Sequence, residues 1–251
     1  MWDAQYGTRA QLLGGLVVGA PSDLSSTFYN PAWLALEKQP GILLTTKAFE
    51  ASSITSDEGI GPDGEFESSD ISPSPGYFGG KFKTNIDDDE VSIAYSYMQR
   101  IQFEYNASGV RVDDNVTPPA DGNLWFSGEA FKNVSLSEYW GGVSFAKKIG
   151  HNIYGGVTPF GALRNHTQRA QISGNGIDSD QNFAHYYDMA QFSYWHVRVL
   201  VKAGIAFDYE PVSFGFTLTT PSLGLFGDGS VHRDNSFARM DNSSPENPEP
   251  Y

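Results

Sequence analysis

The side chains able to do acid–base, nucleophilic or metal chemistry are scattered along this chain rather than grouped. Its five histidines (His151, His166, His185, His196 and His232) have no His-x-x-x-His spacing, the arrangement that puts two imidazoles on one face of a helix around a metal. His185-Tyr186-Tyr187-Asp188 brings an imidazole near a carboxylate, but no nucleophile-bearing motif accompanies it. No Gly-x-Gly-x-x-Gly opens a helix. Cysteine is absent, so neither a disulfide framework nor a thiolate metal centre can form. The acidic runs Asp87-Asp88-Asp89-Glu90 and Asp113-Asp114 read as solvated turns. No enzyme activity, cofactor or metal is expected. With 30 acidic against 16 basic residues and a net charge of -14, no basic patch is available for phosphates, so nucleic acid is not expected as a partner. What remains is a set of isolated charges within otherwise regular segments: Arg100, Glu104, Arg198 and Lys202. They suit either a ligand carboxylate or an internal ion-pair network, since a buried cation needs a partner.

The elements that carry those charges are strands. From Val91 to Asn106, Val91, Ile93, Tyr95, Tyr97, Ile101, Phe103 and Tyr105 are expected on one face. Ser92, Ala94, Ser96, Met98, Arg100, Gln102, Glu104 and Asn106 are expected on the other, with Gln99 the one polar intruder on the apolar side. Trp195 to Phe207 alternates in the same way. Trp195, Val197, Val199, Val201, Ala203, Ile205 and Phe207 form an apolar face against His196, Arg198, Leu200, Lys202, Gly204 and Ala206. After the turn Asp208-Tyr209-Glu210-Pro211 the alternation resumes, which predicts a hairpin. The mean globular strand has about five or six residues. Alternation this long suits a sheet that spans a bilayer and projects beyond it.

The pattern predicts seven strands, near 41–56, 75–84, 90–106, 133–148, 152–172, 186–207 and 212–220. Short turns (Asn85–Glu90, Lys148–Asn152, Asp208–Pro211) alternate with long polar loops (Ser56–Pro75, Ala107–Lys132, Ser173–Ala184), the asymmetry of outer-membrane barrels. A mean hydropathy of -0.36 excludes a helical bundle in the membrane but not a barrel, whose strands alternate. No run approaches the ~18 apolar residues of a spanning helix. Leu12 to Val18 lacks the basic lead-in of a signal peptide, so an exported chain with this start is expected to have lost its signal. Antiparallel closure needs an even strand number, and the polar tail from Ser230 to Tyr251 does not read as an eighth strand. The chain is therefore expected to be incomplete, or else to close by pairing with something else.

Residues 1–40 differ from the rest, being small, Gly-rich and punctuated by Pro21, Pro31 and Pro40. Within them, Ser25-Ser26-Thr27-Phe28-Tyr29-Asn30-Pro31-Ala32-Trp33-Leu34-Ala35 resembles the N-terminal signature of the FadL-type transporters of long-chain fatty acids and hydrocarbons. Tyr29-Asn30-Pro31-Ala32 and Leu34-Ala35 match its core, with Trp33 where the family has glycine. The region from Gly14-Gly15 to Pro21, with Asp23, is similar to the family's plug, and Thr219-Thr220-Pro221-Ser222-Leu223-Gly224-Leu225-Phe226-Gly227 to its mid-chain strand-to-loop passage. The resemblance covers the plug and the first half of the barrel. It implies a fourteen-stranded barrel with an N-terminal hatch formed by Phe28, Tyr29, Asn30, Pro31 and Ala32, and passive uptake of hydrophobic ligands. It also implies a barrel wall that opens sideways where a strand kinks; Pro159 and Gly155-Gly156 are candidate bulges, with ordinary barrel irregularity as the plainer reading.

The expected protein is thus all-β: a hatch over 1–40, antiparallel transmembrane barrel strands over 41–229, and a polar loop or tail over 230–251. Its expected place is the bacterial outer membrane. Its expected partners are a hydrophobic small molecule, membrane lipid and the missing C-terminal strands of the same barrel. The alternative is a soluble secreted β-sandwich that binds through long acidic loops.

Overall fold

A computed structural model describes residues 5–20, 23–36, 40–56, 66–86, 89–116 and 124–241. The chain opens with short helical turns: α1 (Thr8–Leu12), α2 (Ser26–Tyr29) and a 3-10 turn, η1 (Pro31–Ala35). One antiparallel sheet follows, formed by β1 (Gly41–Ser56), β2 (Phe66–Ile86), β3 (Asp89–Val116), β4 (Leu124–Gly150), β5 (Ile153–Ile177), β6 (Phe183–Tyr209), β7 (Val212–Thr219) and β8 (Leu223–Met240). Among the described residues there is this single sheet, not two facing ones. No described helix is long and apolar enough to cross a membrane.

The strands are longer than the sequence pattern predicts, and they extend into the segments read as long loops. Residues 66–75, 107–116, 124–132 and 173–177 all belong to strands, since polar side chains do not prevent a chain from pairing when the neighbouring strand continues alongside. Short turns stand where expected between Gly150 and Ile153 and between Tyr209 and Val212, and Ile86 pairs with Asp89 at the same end of the sheet. We call that end of the sheet the lower one.

Part of the tail is also a strand. β8 pairs with β6 from Leu223 opposite Val199 to Met240 opposite Phe183, which corrects the reading of residues 230–240 as loop; residues 242–251 lie outside the described residues. β7 pairs with the lower half of the same β6 edge and ends with Thr219 opposite Lys202. Thr220, Pro221 and Ser222 therefore span the gap opposite Leu200 and Val201, a bulge inside one continuous edge strand. Pro221 has no N–H to offer there; Thr220 N donates to Val201 O (2.9 Å) and Thr220 Oγ1 accepts from Val201 N (3.0 Å). The sheet is thus seven strands wide, with its first and last strands running in the same direction. Among the described residues, β1 pairs only with β2, and β7 and β8 only with β6.

The sheet is curled. Thr27 Oγ1 lies 3.0 Å from Tyr77 Oη on β2, while the carbonyl of the next residue, Phe28, accepts from Lys202 Nζ on β6 at 2.6 Å. Four strand spacings separate β2 from β6, about 19 Å in a flat sheet, whereas adjacent Cα atoms are about 3.8 Å apart. Both walls reach one dipeptide, and η1 lies against β3, β4, β5 and β6 together, as on a concave sheet.

Directly opposed residues share a face, so the register sorts every side chain. The concave face carries Tyr77, Lys81, Ala94, Met98, Trp140, Ser144, Thr158, Phe160, Leu200 and Lys202 around the buried N-terminal segment. The convex face carries Ile42, Leu44, Phe78, Phe82, Tyr95, Tyr97, Val143, Phe145, Val157, Leu163, Trp195, Val201, Phe214, Phe216 and Leu218, all exposed. The apolar convex face has a sharp upper limit at Tyr97, Tyr139, Leu163 and Trp195. The next convex residues are Ser137 and Ser135 on β4, Asn165 and Thr167 on β5, and Ser193 and Gln191 on β6.

One strand breaks the expected alternation. Between β3 and β4, Gln99 stands opposite Tyr139 but Ile101 opposite Glu138, so Arg100 is an extra residue in a bulge. Above it the faces of β3 exchange. Ile101, Phe103 and Tyr105 share the concave side with Glu138, Leu136 and Val134, while Gln102, Glu104 and Asn106 turn to the convex side. This corrects the single face drawn from Val91 to Tyr105. Gln99, the polar residue that interrupted the pattern, marks the place where the pattern slips.

Candidate ligand-binding site

The segment Tyr29-Asn30-Pro31-Ala32 seats itself in the concave face by hydrogen bonding and close backbone approach. Asn30 is extended (φ -155) and caps η1: its Oδ1 accepts from Ala32 N at 3.1 Å, with Pro31 in the first turn, where no N–H is needed. Its Nδ2 donates outward, to Val18 O (3.0 Å) and to Ile205 O on β6 (3.2 Å). The wall meets this turn with glycines. A Cβ on Gly156 would lie 2.5 Å from the Pro31 carbonyl carbon, one on Gly204 would overlap Asn30 Oδ1, and one on Gly215 would overlap Val18 O. Gly155-Gly156 is therefore no bulge: the β4–β5 register runs straight through, and Gly156 serves as a seat for Pro31. At Pro159 the register is likewise continuous, but Thr158 and Pro159 form no pair with β4, as expected of a residue without an N–H.

Trp33, the residue standing where the resembled signature has glycine, fits without left-handed backbone. It lies within η1, is 1% exposed, and donates from Nε1 to Val18 O at 2.9 Å. Four further bonds tie the segment to the wall: Lys81 Nζ to Leu34 O (3.1 Å), Tyr77 Oη to Leu24 O (2.6 Å), Thr158 Oγ1 to Thr27 O (3.2 Å) and Thr217 Oγ1 to Tyr29 O (2.9 Å). Tyr6 adds its hydroxyl to Gln99 O at 2.7 Å, and its own N–H donates to Tyr29 Oη. Burial pushes the Tyr6 phenol well above its ordinary pKa, and raises that of Tyr29 too.

Beside this seat is a cavity of about 350 Å³ bounded by Phe28, Tyr29, Trp140, Arg100, Lys202 and Thr217. Lys202 Nζ lies 4.2 Å from the Phe28 ring centre, and the Arg100 guanidinium carbon lies 5.4 Å from it and 5.9 Å from that of Trp140. Among the described residues neither cation has a carboxylate within ion-pair distance. A second, more apolar cavity of about 420 Å³ adjoins it across Val18 and Tyr29, with Gly14, Gly15 and Leu16 on its far side.

The sequence-derived charges divide. Arg100 and Lys202 meet at the first cavity. Arg198 stands higher on the same face of β6, and Glu104 is turned away to the convex side, where it accepts from Asn106 Nδ2. The carboxylate that does serve the concave face is Glu138, 2% exposed, which the sequence reading did not single out. Its Oε2 lies 2.5 Å from both Arg164 and Arg198, and its Oε1 accepts from Trp140 Nε1 at 2.6 Å. The signal was present as parity, since Glu138 and Trp140 are two apart on β4 and fall opposite Arg164 and Ala162, but it needed the register to be read. The histidines lie elsewhere: His166 packs edge-on against Phe192 and Tyr194, and His185 Nδ1 is 2.8 Å from Asn175 Oδ1. Of the acidic runs, Asp89 pairs with Lys147 (2.9 Å), Glu90 with Lys83, and Asp113 with Arg111 (3.0 Å), while Asp87 and Asp88 lie outside the described residues.

Comparison with protein families, characterised proteins and solved structures finds no match for this chain.

Proposed function

We propose that this chain forms part of the wall of an outer-membrane β-barrel that admits amphiphiles with a long apolar tail and an anionic head, such as long-chain fatty acids, by passive diffusion, in the manner of the FadL-type transporters it resembles. Phe28, Tyr29, Asn30, Pro31 and Ala32 form the core of a hatch across the lumen. The observation that carries this reading is the first cavity, where two cations without a carboxylate partner stand over aromatic rings. An anionic head group supplies the missing charge, and the rings and the adjoining apolar cavity suit a tail.

The membrane part of the proposal rests on the convex face. Tyr97 is in line with Val199 across the sheet, and the apolar limit on β6 is Trp195, four residues further up. Over the three spacings from β3 to β6, a rise of about 13 Å against a width of about 14 Å is a slope near 40°, the tilt of strands in membrane barrels. A level water boundary across tilted strands produces this stepped limit, and the aromatic rings at Tyr97, Tyr139 and Trp195 suit an interfacial girdle. In lipid the unpaired edges of β1 and of β7–β8 would cost several kcal/mol per bare backbone group. Further strands of the same barrel fill them on this reading. Both edges run in one direction, so an odd number of strands closes the barrel in antiparallel fashion. Pairing with a second copy related by rotation about the barrel axis would make parallel seams.

The test is binding of dodecanoate to the protein folded in detergent, read by tryptophan fluorescence. Lys202→Gln and Arg100→Gln are each expected to weaken binding about tenfold, the size of one charge-assisted contact of about 1.4 kcal/mol. Unchanged affinity in both variants contradicts the proposal.

A further inference from the structure

A charge cluster centred on Glu138 stands above the proposed pocket on the same concave face. Four cations reach the concave face near Trp140: Arg100, Arg164, Arg198 and Lys202. Only one buried carboxylate, Glu138, answers them among the described residues in contact with that group. It engages Arg164 and Arg198 at 2.5 Å each through Oε2 and leaves Arg100 and Lys202 at the cavity. The same carboxylate holds the indole of Trp140, a wall of that cavity, through Oε1 at 2.6 Å. Trp140 also packs against Phe28 (6.0 Å between ring centres) and Phe160 (5.3 Å), so its position decides the width of the pocket.

We propose that Glu138 is the residue that sets head-group charge selectivity: by occupying Arg164 and Arg198 it restricts the site to singly charged heads, carboxylates rather than phosphate monoesters. The reasoning is electrostatic. A dianion in a low-dielectric pocket needs more positive charge than Arg100 and Lys202 supply, because each uncompensated charge carries a desolvation penalty. The additional charge stands on the same face of β6, with Arg198 four residues above Lys202, and Glu138 has already neutralised half of what the arginine pair offers. Glu138 touches no ligand in this scheme. It is a positioning residue that acts through two arginines and an indole.

This inference rests on the pocket reading, and the experiment separates the two. Dodecanoate and dodecyl phosphate, the latter mostly dianionic at pH 7 because its second pKa is near 6, are titrated against the folded protein, and the ratio of their affinities is taken. Glu138→Gln is expected to shift that ratio at least tenfold toward the phosphate. Arg164→Gln, which keeps the Glu138–Arg198 pair and removes one cation, is expected to shift it severalfold the other way. Loss of packing alone would weaken both ligands together and leave the ratio unmoved. If Glu138→Gln does not fold, as judged by its migration on a semi-native gel before and after boiling, Arg164→Gln decides. A wild-type protein that binds dodecanoate, with a ratio that the folded variants leave unchanged, overturns the role of Glu138 alone. A wild type that binds neither ligand overturns the pocket reading together with this inference.

Discussion

At the scale of single residues, the N-terminal segment is held by side chains whose types could be read in the sequence but whose partners could not. Tyr29-Asn30-Pro31-Ala32 stood out as a motif. Nothing in the sequence said that Asn30 would spend its amide on Val18 and Ile205, or that Gly156, Gly204 and Gly215 would make room for it. Apart from the bond to Val18, those are contacts between residues more than a hundred positions apart, and a glycine in a strand reads only as a weak point until the other backbone is in place. Gly204→Ala is expected to destabilise the seated segment by about 1–3 kcal/mol, the usual cost of overpacking, and to open the N-terminal region to protease while the strands keep their circular-dichroism signal. Equal protease resistance would show that the seat is loose. The tyrosines give a pH test. Burial raises the pKa of Tyr6 and Tyr29 above the ordinary value of 10.0, so their contribution is fully present below pH 10 and fades as the pH rises through the shifted values. Release of the segment is therefore expected above pH 10 and not between pH 7 and 9, measured as protease cleavage before Asn30. Tyr6→Phe, which keeps the ring and loses the bond to Gln99 O, is expected to lower resistance at every pH and to flatten part of the alkaline transition.

At the scale of elements, the alternating pattern located β1 to β7 but missed β8, and it misjudged two faces and several ends. Period-two reading assumes that pairing never slips, and the bulge at Arg100 is a slip. It leaves the lower half of β3 as expected and reverses the upper half, which is why Arg100 reaches the cavity and Glu104 does not. The ends were misjudged for a different reason. A polar strand above the apolar limit has the composition of a loop, and only its neighbour's length shows that it continues. The reversal is testable with single cysteines: Glu104→Cys, on the convex side of the sheet, is expected to react readily with a bulky maleimide, and Phe103→Cys, on the concave side, severalfold more slowly. The opposite order would place β3 without its bulge. β7 and β8 teach a related lesson, since a proline-containing passage that looks like the end of a strand is a bulge within one.

At the scale of the whole molecule, composition left a barrel and a sandwich equally open, and the long alternation with sorted turns favoured the barrel. The features that support it are collective: one curled sheet, a concave side of mixed polarity occupied by the N-terminal segment, an apolar and bare convex side, and an apolar limit that climbs from strand to strand at the slope of tilted strands. The alternating faces and the N-terminal hatch were expected from the sequence, whereas the stepped limit belongs to no single residue and was not legible before the register was known. The account's central claim is that this convex face lies in lipid. The most direct measurement places nitroxide side chains at Val143 and Val199 within the apolar face and at Ser137 and Asn165 just above its limit. With the protein in phospholipid vesicles, collisions with oxygen, which concentrates in the bilayer, are compared with those of a water-soluble nickel chelate. The account predicts that labels at 143 and 199 meet oxygen and are shielded from the chelate, and that labels at 137 and 165 behave in the reverse way. Four labels equally open to the chelate would contradict it.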